Sequence, residues 1–354
     1  MAGGVGSRFW PLSKASLPKQ FIDILGTGKT LLQQTYERFL TVCPNENIYI
    51  VSNIEYGKII KAQLPDIGEY QMMLEPMRKN TAPCIAYANY RIKQINEEAN
   101  IIVAPSDHFI TKEDKFFKTL VQGLEFVQNN DALLTLGIRP SRPETGYGYI
   151  QVNKHSVRDE NPDLMKVKTF TEKPDMDLAK VFLKSGDFFW NSGIFLWSLK
   201  SIQKAFDKHL VEVSSLFNDI ETGLDPEKEA KSVLIAYSDT RNISIDYGIM
   251  EKADNVFALC SEFGWSDLGT WSSMYDHSEK DMMGNVISAE NAMLYDSKNC
   301  IVNVSGEKLV VLQGLENYIV VETEKTLLIC KREEEQKIKQ IVNDVKISKG
   351  EEYI

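Results

Sequence analysis

From residue 30 to residue 138 the chain repeats one pattern: a short apolar run, then a longer stretch with apolar residues at helical spacing. Residues 30–42 place Leu32, Tyr36, Phe39 and Leu40 on one helical face. Residues 48–51 are an unbroken apolar run, as a strand buried on both faces requires. A helix over 54–63, a strand near 71–75 and a helix over 81–95 follow. The last starts on Thr81, carries Pro83 in its first turn, and turns Ile85, Ala88, Ile92 and Ile95 inward. Then come a strand at 101–104, a helix over 113–128 facing the core with Phe117, Leu120, Val121 and Leu124, and a strand at 133–138. Strand and helix in strict alternation mean βαβ units, hence an α/β fold with a mostly parallel sheet flanked by helices. Ligands on such sheets sit beyond the carboxyl ends of the strands.

After residue 140 the strands lengthen, at 147–152, 164–172 and 188–197, with helices predicted over 175–185, 198–218 and 226–236. This stretch reads as a lid-like sheet and helices inserted into the same domain, closing over a second substrate. A strand at 256–260 and a helix at 269–277 complete it. Beyond Gly284 short apolar segments centred on Val286, Leu294, Ile301, Val310, Ile319 and Leu328 recur with Gly, Asn and Asp between them. They predict the rungs of a small β-helix. Residues 332–345 form a charged terminal helix with Ile338, Ile341, Val342 and Val345 on one face. That face has two destinations: the chain's own β-segment, or a partner subunit in a homodimer. The expected division is a domain over 1–280 and a β-rich segment with a closing helix over 281–354.

The chain opens on a glycine-rich stretch. Gly3, Gly4 and Gly6 allow close approach to a ligand, and successive turn N–H groups suit phosphate oxygens. Arg8 and Lys19 add positive charge on either side of a loop marked by Pro11 and Pro18. Two better-known phosphate loops are excluded. A dinucleotide fingerprint starting at Gly4 would need glycine where Phe9 stands, and Gly26-Thr27-Gly28-Lys29-Thr30 lacks the leading glycine of a P-loop, its place being Asp23. Thr30 instead reads as a helix cap. Phosphate loops ordinarily leave a strand, and none precedes this one, so a few further residues are expected upstream. The formal net charge of −10 argues against nucleic-acid backbones as partners while leaving a nucleotide open, because the loop itself is basic. Five widely spaced cysteines, odd in number and without neighbouring His, argue against disulfides and zinc. No apolar run approaches the eighteen or so residues of a membrane span and no signal peptide appears, so a cytoplasmic protein with no membrane partner is expected.

Four further stretches carry chemistry. Glu75 begins a strand-to-helix connection that runs through Asn80, Thr81 and Ala82 to Pro83, a place suited to a nucleobase. Guanine shows adjacent N1–H and N2–H donors, and one carboxylate accepts both, so Glu75 suits guanine and would repel adenine; a helix-capping Glu is the alternative. Asp107, in Ala104-Pro-Ser-Asp-His108, follows a buried strand and faces the phosphate loop, as an Mg2+ ligand would. Asp267, in a tight loop before a helix, is the second candidate ligand; for both, capping a helix is the alternative. His108 reads as an orienting or packing residue. Gly146 and Tyr147, with Glu172, Lys173 and Asn191, supply what a pyranose phosphate needs: amides and acceptors for hydroxyls, an aromatic ring, and a cation for the phosphate. Residues 244–252, with Asp246 and Glu251, read only as support.

Taken together, AGGVGSRFWPLS, LPKQF, EPMRKNTAPCIA, APSDHFI, TGYGYI, FTEKPD, FWNSGIFLW, SIDYGIMEK and FGWSDLGTW resemble, in order, the motifs of the sugar-phosphate nucleotidyltransferases over residues 2–275. The resemblance is to the members that act on mannose 1-phosphate and GTP. It implies a Rossmann-like core with a C-terminal β-helical segment, and transfer of GMP from GTP to α-D-mannose 1-phosphate with release of pyrophosphate. It also implies nucleotide contacts from Ala2, Gly3, Gly4, Gly6, Glu75, Asn80, Thr81 and Ala82, catalytic roles for Arg8, Lys19 and Asp107, and Mg2+ on Asp107 and Asp267. Gly146, Tyr147, Glu172, Lys173 and Asn191 would take the sugar phosphate. Two departures are the absent leading strand and Met77, where members often carry Gly. Members that are also isomerases have a further cupin domain; too few residues follow the core here, so a monofunctional enzyme is expected. Transfer to another sugar phosphate or from another base, and a non-catalytic nucleotide-sugar sensor, are the competing readings.

Overall fold

A computed structural model describes residues 1–4, 6–154, 161–218, 220 and 226–354. The chain divides into two compact units, one of Met1–Gly3, Phe39–Pro105 and Ile110–Trp265, the other of Gly4–Arg38, Ser106–Phe109 and Ser266–Ile354.

In the first unit the predicted strands form where the apolar runs demanded them. Ile50–Asn53 is buried at all positions and pairs in parallel with Met72–Glu75, Asn53 opposite Glu75. A six-stranded sheet runs in the order Asn100–Val103, Phe188–Ser198, Leu133–Ile138, Val256–Cys260, Leu164–Thr171, Tyr149–Val152. The α/β class stands, with the sheet mixed. Among the described residues only Leu133–Ile138 and Val256–Cys260 pair in parallel within it, because Phe188–Ser198 runs antiparallel between Asn100–Val103 and Leu133–Ile138, and Leu164–Thr171 antiparallel to both its neighbours. That long strand, expected in a lid, is instead an inner strand of the sheet that also pairs with Tyr149–Val152, which its nearly continuous apolar sequence explains. Its side chains alternate. Phe195 and Trp197 join Leu133 in one core cluster, and Ile194 and Leu196 join Leu134 and Leu136 in the other.

The helices are as expected in place, less so in face. Thr30 caps Leu31–Leu40, its N–H bonded to Gln33 Oε1 and its Oγ1 accepting from Gln33 N, but Leu40 is exposed. Helix Thr81–Lys93 ends before Ile95, which is exposed in consequence. Helix Glu113–Asn129 buries Phe116, Thr119, Leu120, Gly123 and Val127, leaving the predicted Phe117 and Val121 largely outside. Gly123 decides this: a Cβ there would lie 2.9 Å from Leu196 and 3.0 Å from Leu134, so the helix lies on the sheet through its glycine. The stretch 198–218 is two helices, Leu199–His209 and Val211–Asn218, broken at the buried Leu210.

In the second unit all six C-terminal segments are strands. Val286–Ser288, Ile301–Val304 and Tyr318–Glu322 stack in parallel, closed by the antiparallel Leu327–Lys331, while Asn291–Tyr295 and Leu309–Gln313 form a second parallel pair. Asn299 and Asn317 take left-handed φ of 55° and 60° at successive corners, which asparagine tolerates. The buried Asn285 satisfies its corner by accepting from Cys300 N and donating to Ser297 O, both at 3.0 Å. The terminal helix Ile338–Lys349 docks on its own chain: Ile338 is fully buried, with Ile341, Val342 and Val345 packed into a cluster containing Phe9, Trp10, Trp271 and Ile319.

Candidate active site

In the second unit, Gly6 adopts φ 67° and starts the turn Ser7–Phe9. A Cβ on Gly6 would lie 2.6 Å from Lys19 Cβ, so the glycine allows the loop to close on the lysine. Ser13 Oγ fixes the loop by donating to Gly6 O at 2.5 Å. Gly4 has open space about its α-carbon, and Val5 lies outside the described residues. Arg8 sits in the turn with its Nε buried and unpartnered among the described residues.

Lys19 is buried and engages three acceptors, as many as an ammonium has protons. Its Nζ lies 2.8 Å from Asp107 Oδ2 and donates to Asp267 O at 2.7 Å and Leu268 O at 3.2 Å. Residues far apart in sequence thus meet on one cation. Burial alone would raise the Asp107 carboxyl, but Lys19 beside it, with His108, holds it below the usual range. Burial holds the His108 imidazole down; it feels both Asp107 and Asp267, with its Nε2 4.0 Å from Asp107 Oδ1. Neither acid caps a helix. Thr270 caps Trp271–His277 and Lys112 precedes Glu113–Asn129, while Asp267 Oδ1 accepts from Gly269 N at 2.9 Å. Leu268, at φ 42°, completes the strained turn that presents both carbonyls to Lys19. Among the described residues no three His, Cys, Asp or Glu side chains gather into a metal cage. Two carboxylates fit Mg2+, which takes one or two such ligands and completes its shell with phosphate and water.

The first unit holds the base and sugar candidates. Glu75 is 6 % exposed, at the end of its strand. Its Oε1 accepts from Tyr237 Oη at 3.0 Å, and its Oε2 lies 3.9 Å from where a Cβ on Gly3 would stand. Burial pushes its carboxyl up to about 7, against the downward pull of the Tyr237 bond, the chain's amino group and Arg78. The helix is capped not by Glu75 but by Asn80, at φ 71°, through Thr81 N. Thr81 Oγ1 accepts from Ile245 N, and Ala82 N donates to Ile243 O. Ala2 is likewise engaged, donating to Val51 O and accepting from Ser52 Oγ.

Around the sugar candidates, Gly146 N donates to Glu144 Oε1, and the Tyr147 ring packs edge-on against Trp190 and Trp265. Glu172 pairs with Lys173, whose φ is 44° and whose N–H reaches Tyr147 O. A Cβ on Gly148 would lie 2.8 Å from Glu172 Oε2 and 3.6 Å from Asn191 Cβ, so these motifs converge above that glycine. Asn191 Nδ2 donates to Asp246 Oδ1 at 2.7 Å. Asp246, expected only as support, therefore reaches the sugar candidates directly; its one signal in the sequence is its polar, Gly-containing surroundings.

One buried lysine thus joins the glycine turn, the Asp107 carboxylate and the 267–268 carbonyls, and residues 1–283 match the nucleotidyl transferase family, to which the chain belongs. Residues 290–345 match the MannoseP isomerase/GMP-like beta-helix domain. The chain is 33% identical over 359 residues to a Klebsiella pneumoniae protein named mannose-1-phosphate guanylyltransferase, covering 100% of this chain and 74% of that one. It is similar to a crystal structure from Thermus thermophilus described as mannose-1-phosphate geranyltransferase, with TM-score 0.85, 28% identity and 98% of each chain covered. A structure described as mannose-6-phosphate isomerase from Helicobacter pylori is similar over 71% of this chain and 95% of that one, with TM-score 0.59 and 26% identity.

Proposed function

We propose that this chain transfers GMP from GTP to α-D-mannose 1-phosphate, giving GDP-mannose and pyrophosphate, as a cytoplasmic enzyme with its catalytic domain over 1–280 and its β-rich segment over 281–354. What carries the reading is similarity along the whole chain to proteins named for that transfer. A buried acid at the place suited to a base supports guanine.

The sugar phosphate is itself the nucleophile. One of its oxygens bonds to the α-phosphorus of GTP as the bond from that phosphorus to the β-bridging oxygen breaks, and the electron pair leaves on pyrophosphate. No proton need be removed from the attacking oxygen, so the protein's part is alignment and charge neutralisation. Glu75 accepts the guanine N1–H and N2–H. Arg8 meets phosphate oxygens with its guanidinium, and Lys19 keeps Asp107 and the 267–268 turn in place while adding positive charge by the glycine loop. Asp107 and Asp267 would hold Mg2+, which when bound neutralises phosphate charge. Glu172 and Asn191 take sugar hydroxyls, and Lys173 the sugar's phosphate.

Pyrophosphate release with GTP, ATP, UTP and dTTP, each against mannose 1-phosphate and glucose 1-phosphate, tests this. GTP with mannose 1-phosphate should exceed every other pair. Preference for another pair would replace the substrate assignment, and no release with any would leave the sensor reading. Because one structural relative bears an isomerase name, mannose 6-phosphate is included, and its conversion to fructose 6-phosphate would add an isomerase activity to this reading.

A further inference from the structure

The amide of Asn191 is held at both ends. Its Oδ1 accepts from Thr135 Oγ1 at 3.0 Å and from Gly193 N at 3.2 Å, and its Nδ2 donates to Asp246 Oδ1 at 2.7 Å. A backbone N–H can only donate, so the Gly193 contact fixes which end of the amide is oxygen. The chain is shaped to make that contact. The long strand Phe188–Ser198 pairs Phe195 with Thr135 but Asn191 with Gly137, a bulge that falls at Ser192–Ile194, and Gly193 takes φ 69° within it. Such bulges re-aim side chains beside active sites.

One proton of Asn191 Nδ2 is consumed by Asp246, leaving the other. A Cβ on Gly148 would lie 3.8 Å from that nitrogen and 2.8 Å from Glu172 Oε2, so the absent side chain leaves a gap with a donor on one side and an acceptor on the other. A hydroxyl group, which accepts one hydrogen bond and donates another, has the matching polarity.

We propose that Asp246 is a positioning residue for sugar recognition: it and Thr135 lock the Asn191 amide so that its remaining N–H and the Glu172 carboxylate together take a hydroxyl of the sugar phosphate. The inference rests on Asn191 and Glu172 belonging to the sugar site. Asp246 acts through Asn191 and needs only an acceptor oxygen, which Asn in its place also offers.

The test is steady-state pyrophosphate release with mannose 1-phosphate and GTP varied in turn, for Asp246→Ala, Asp246→Asn, Thr135→Val, Asn191→Ala and the double variant Asn191→Ala/Asp246→Ala. Loss of one aligned hydrogen bond predicts that Asp246→Ala raises KM for mannose 1-phosphate about tenfold while leaving KM for GTP within about twofold. Asp246→Asn should recover most of that loss, and Thr135→Val, which loosens the other end of the amide, should raise the same KM. On the Asn191→Ala background, Asp246→Ala should add less than about twofold, since the group it positions is gone.

Equal damage from Asp246→Asn and Asp246→Ala, a parallel rise in KM for GTP, or full additivity on the Asn191→Ala background would each overturn the proposal. If Asp246→Ala does not fold, Thr135→Val and Asp246→Asn decide the matter alone: an unchanged mannose 1-phosphate KM for Thr135→Val refutes it. Should Asn191→Ala raise that KM while Asp246→Ala does not, the positioning role fails and the sugar site stands. Should Asn191→Ala leave it unchanged, the sugar assignment falls and takes the inference with it.

Discussion

Replacing Glu75 with Gln should stabilise this protein, and more so as pH rises. The Glu75 carboxyl is pushed from the ordinary 4.5 up to about 7, chiefly by burial, with the Tyr237 hydroxyl donating to it. Between those two values the unfolded chain has already lost the proton that the folded protein keeps. The native state then binds more protons than the unfolded state, so stability falls with rising pH. At about 1.4 kcal/mol per pH unit, the loss accumulates to about 3 kcal/mol by neutrality and stays constant above. Glutamine has no proton to lose, and its carbonyl oxygen still accepts from Tyr237. Urea unfolding at intervals from pH 4 to pH 8.5 should therefore show Glu75→Gln close to wild type at the acid end. It should be about 3 kcal/mol more stable at pH 8. The same variant should lose roughly a hundredfold in kcat/KM for GTP, because an amide offers one acceptor where guanine presents two donors. A stability difference that stays flat across the range, or a variant weaker than wild type at pH 8, would refute the argument.

Two further substitutions probe the glycine loop and its lysine. Lys19→Ala removes the cation from Asp107 and strands the carbonyls of Asp267 and Leu268, so turnover should fall by about two orders of magnitude or more. Its stability at pH 7 should fall by about 2–4 kcal/mol, the gap to wild type narrowing as acid protonates Asp107. Near-normal turnover would remove Lys19 from the machinery, and a gap independent of pH would deny the ion pair. Gly6→Ala must accept φ 67° and a Cβ lying 2.6 Å from Lys19 Cβ, near the backbone where little can yield. Together these should cost about 2–4 kcal/mol of unfolding free energy. A variant within about 0.5 kcal/mol of wild type would mean that the loop does not close on the lysine as described.

Period and punctuation located nearly every strand and helix of this chain, because an apolar run and a 3.6-residue repeat are local properties. The six C-terminal rungs show this, as does Thr30, whose cap needs only a Gln three residues on. Candidate residues tied to local geometry stood out too: the glycines, Lys19, Asp107 and Asp267 by type and setting. Their meeting on one ammonium was decided by folding, since no spacing rule brings position 19 to 107 and 267. The same holds for the antiparallel strand Phe188–Ser198, whose composition says buried but not in which direction it runs. The face of Glu113–Asn129 was missed because a glycine counts for nothing in a hydrophobic pattern, yet allows the closest approach of helix to sheet. Asp246 could be read only as support because its partner lies fifty-five residues away, and a hydrogen bond between distant segments exists only once the sheet has placed both. Residue order settles which groups are available; the tertiary fold decides which of them share a proton.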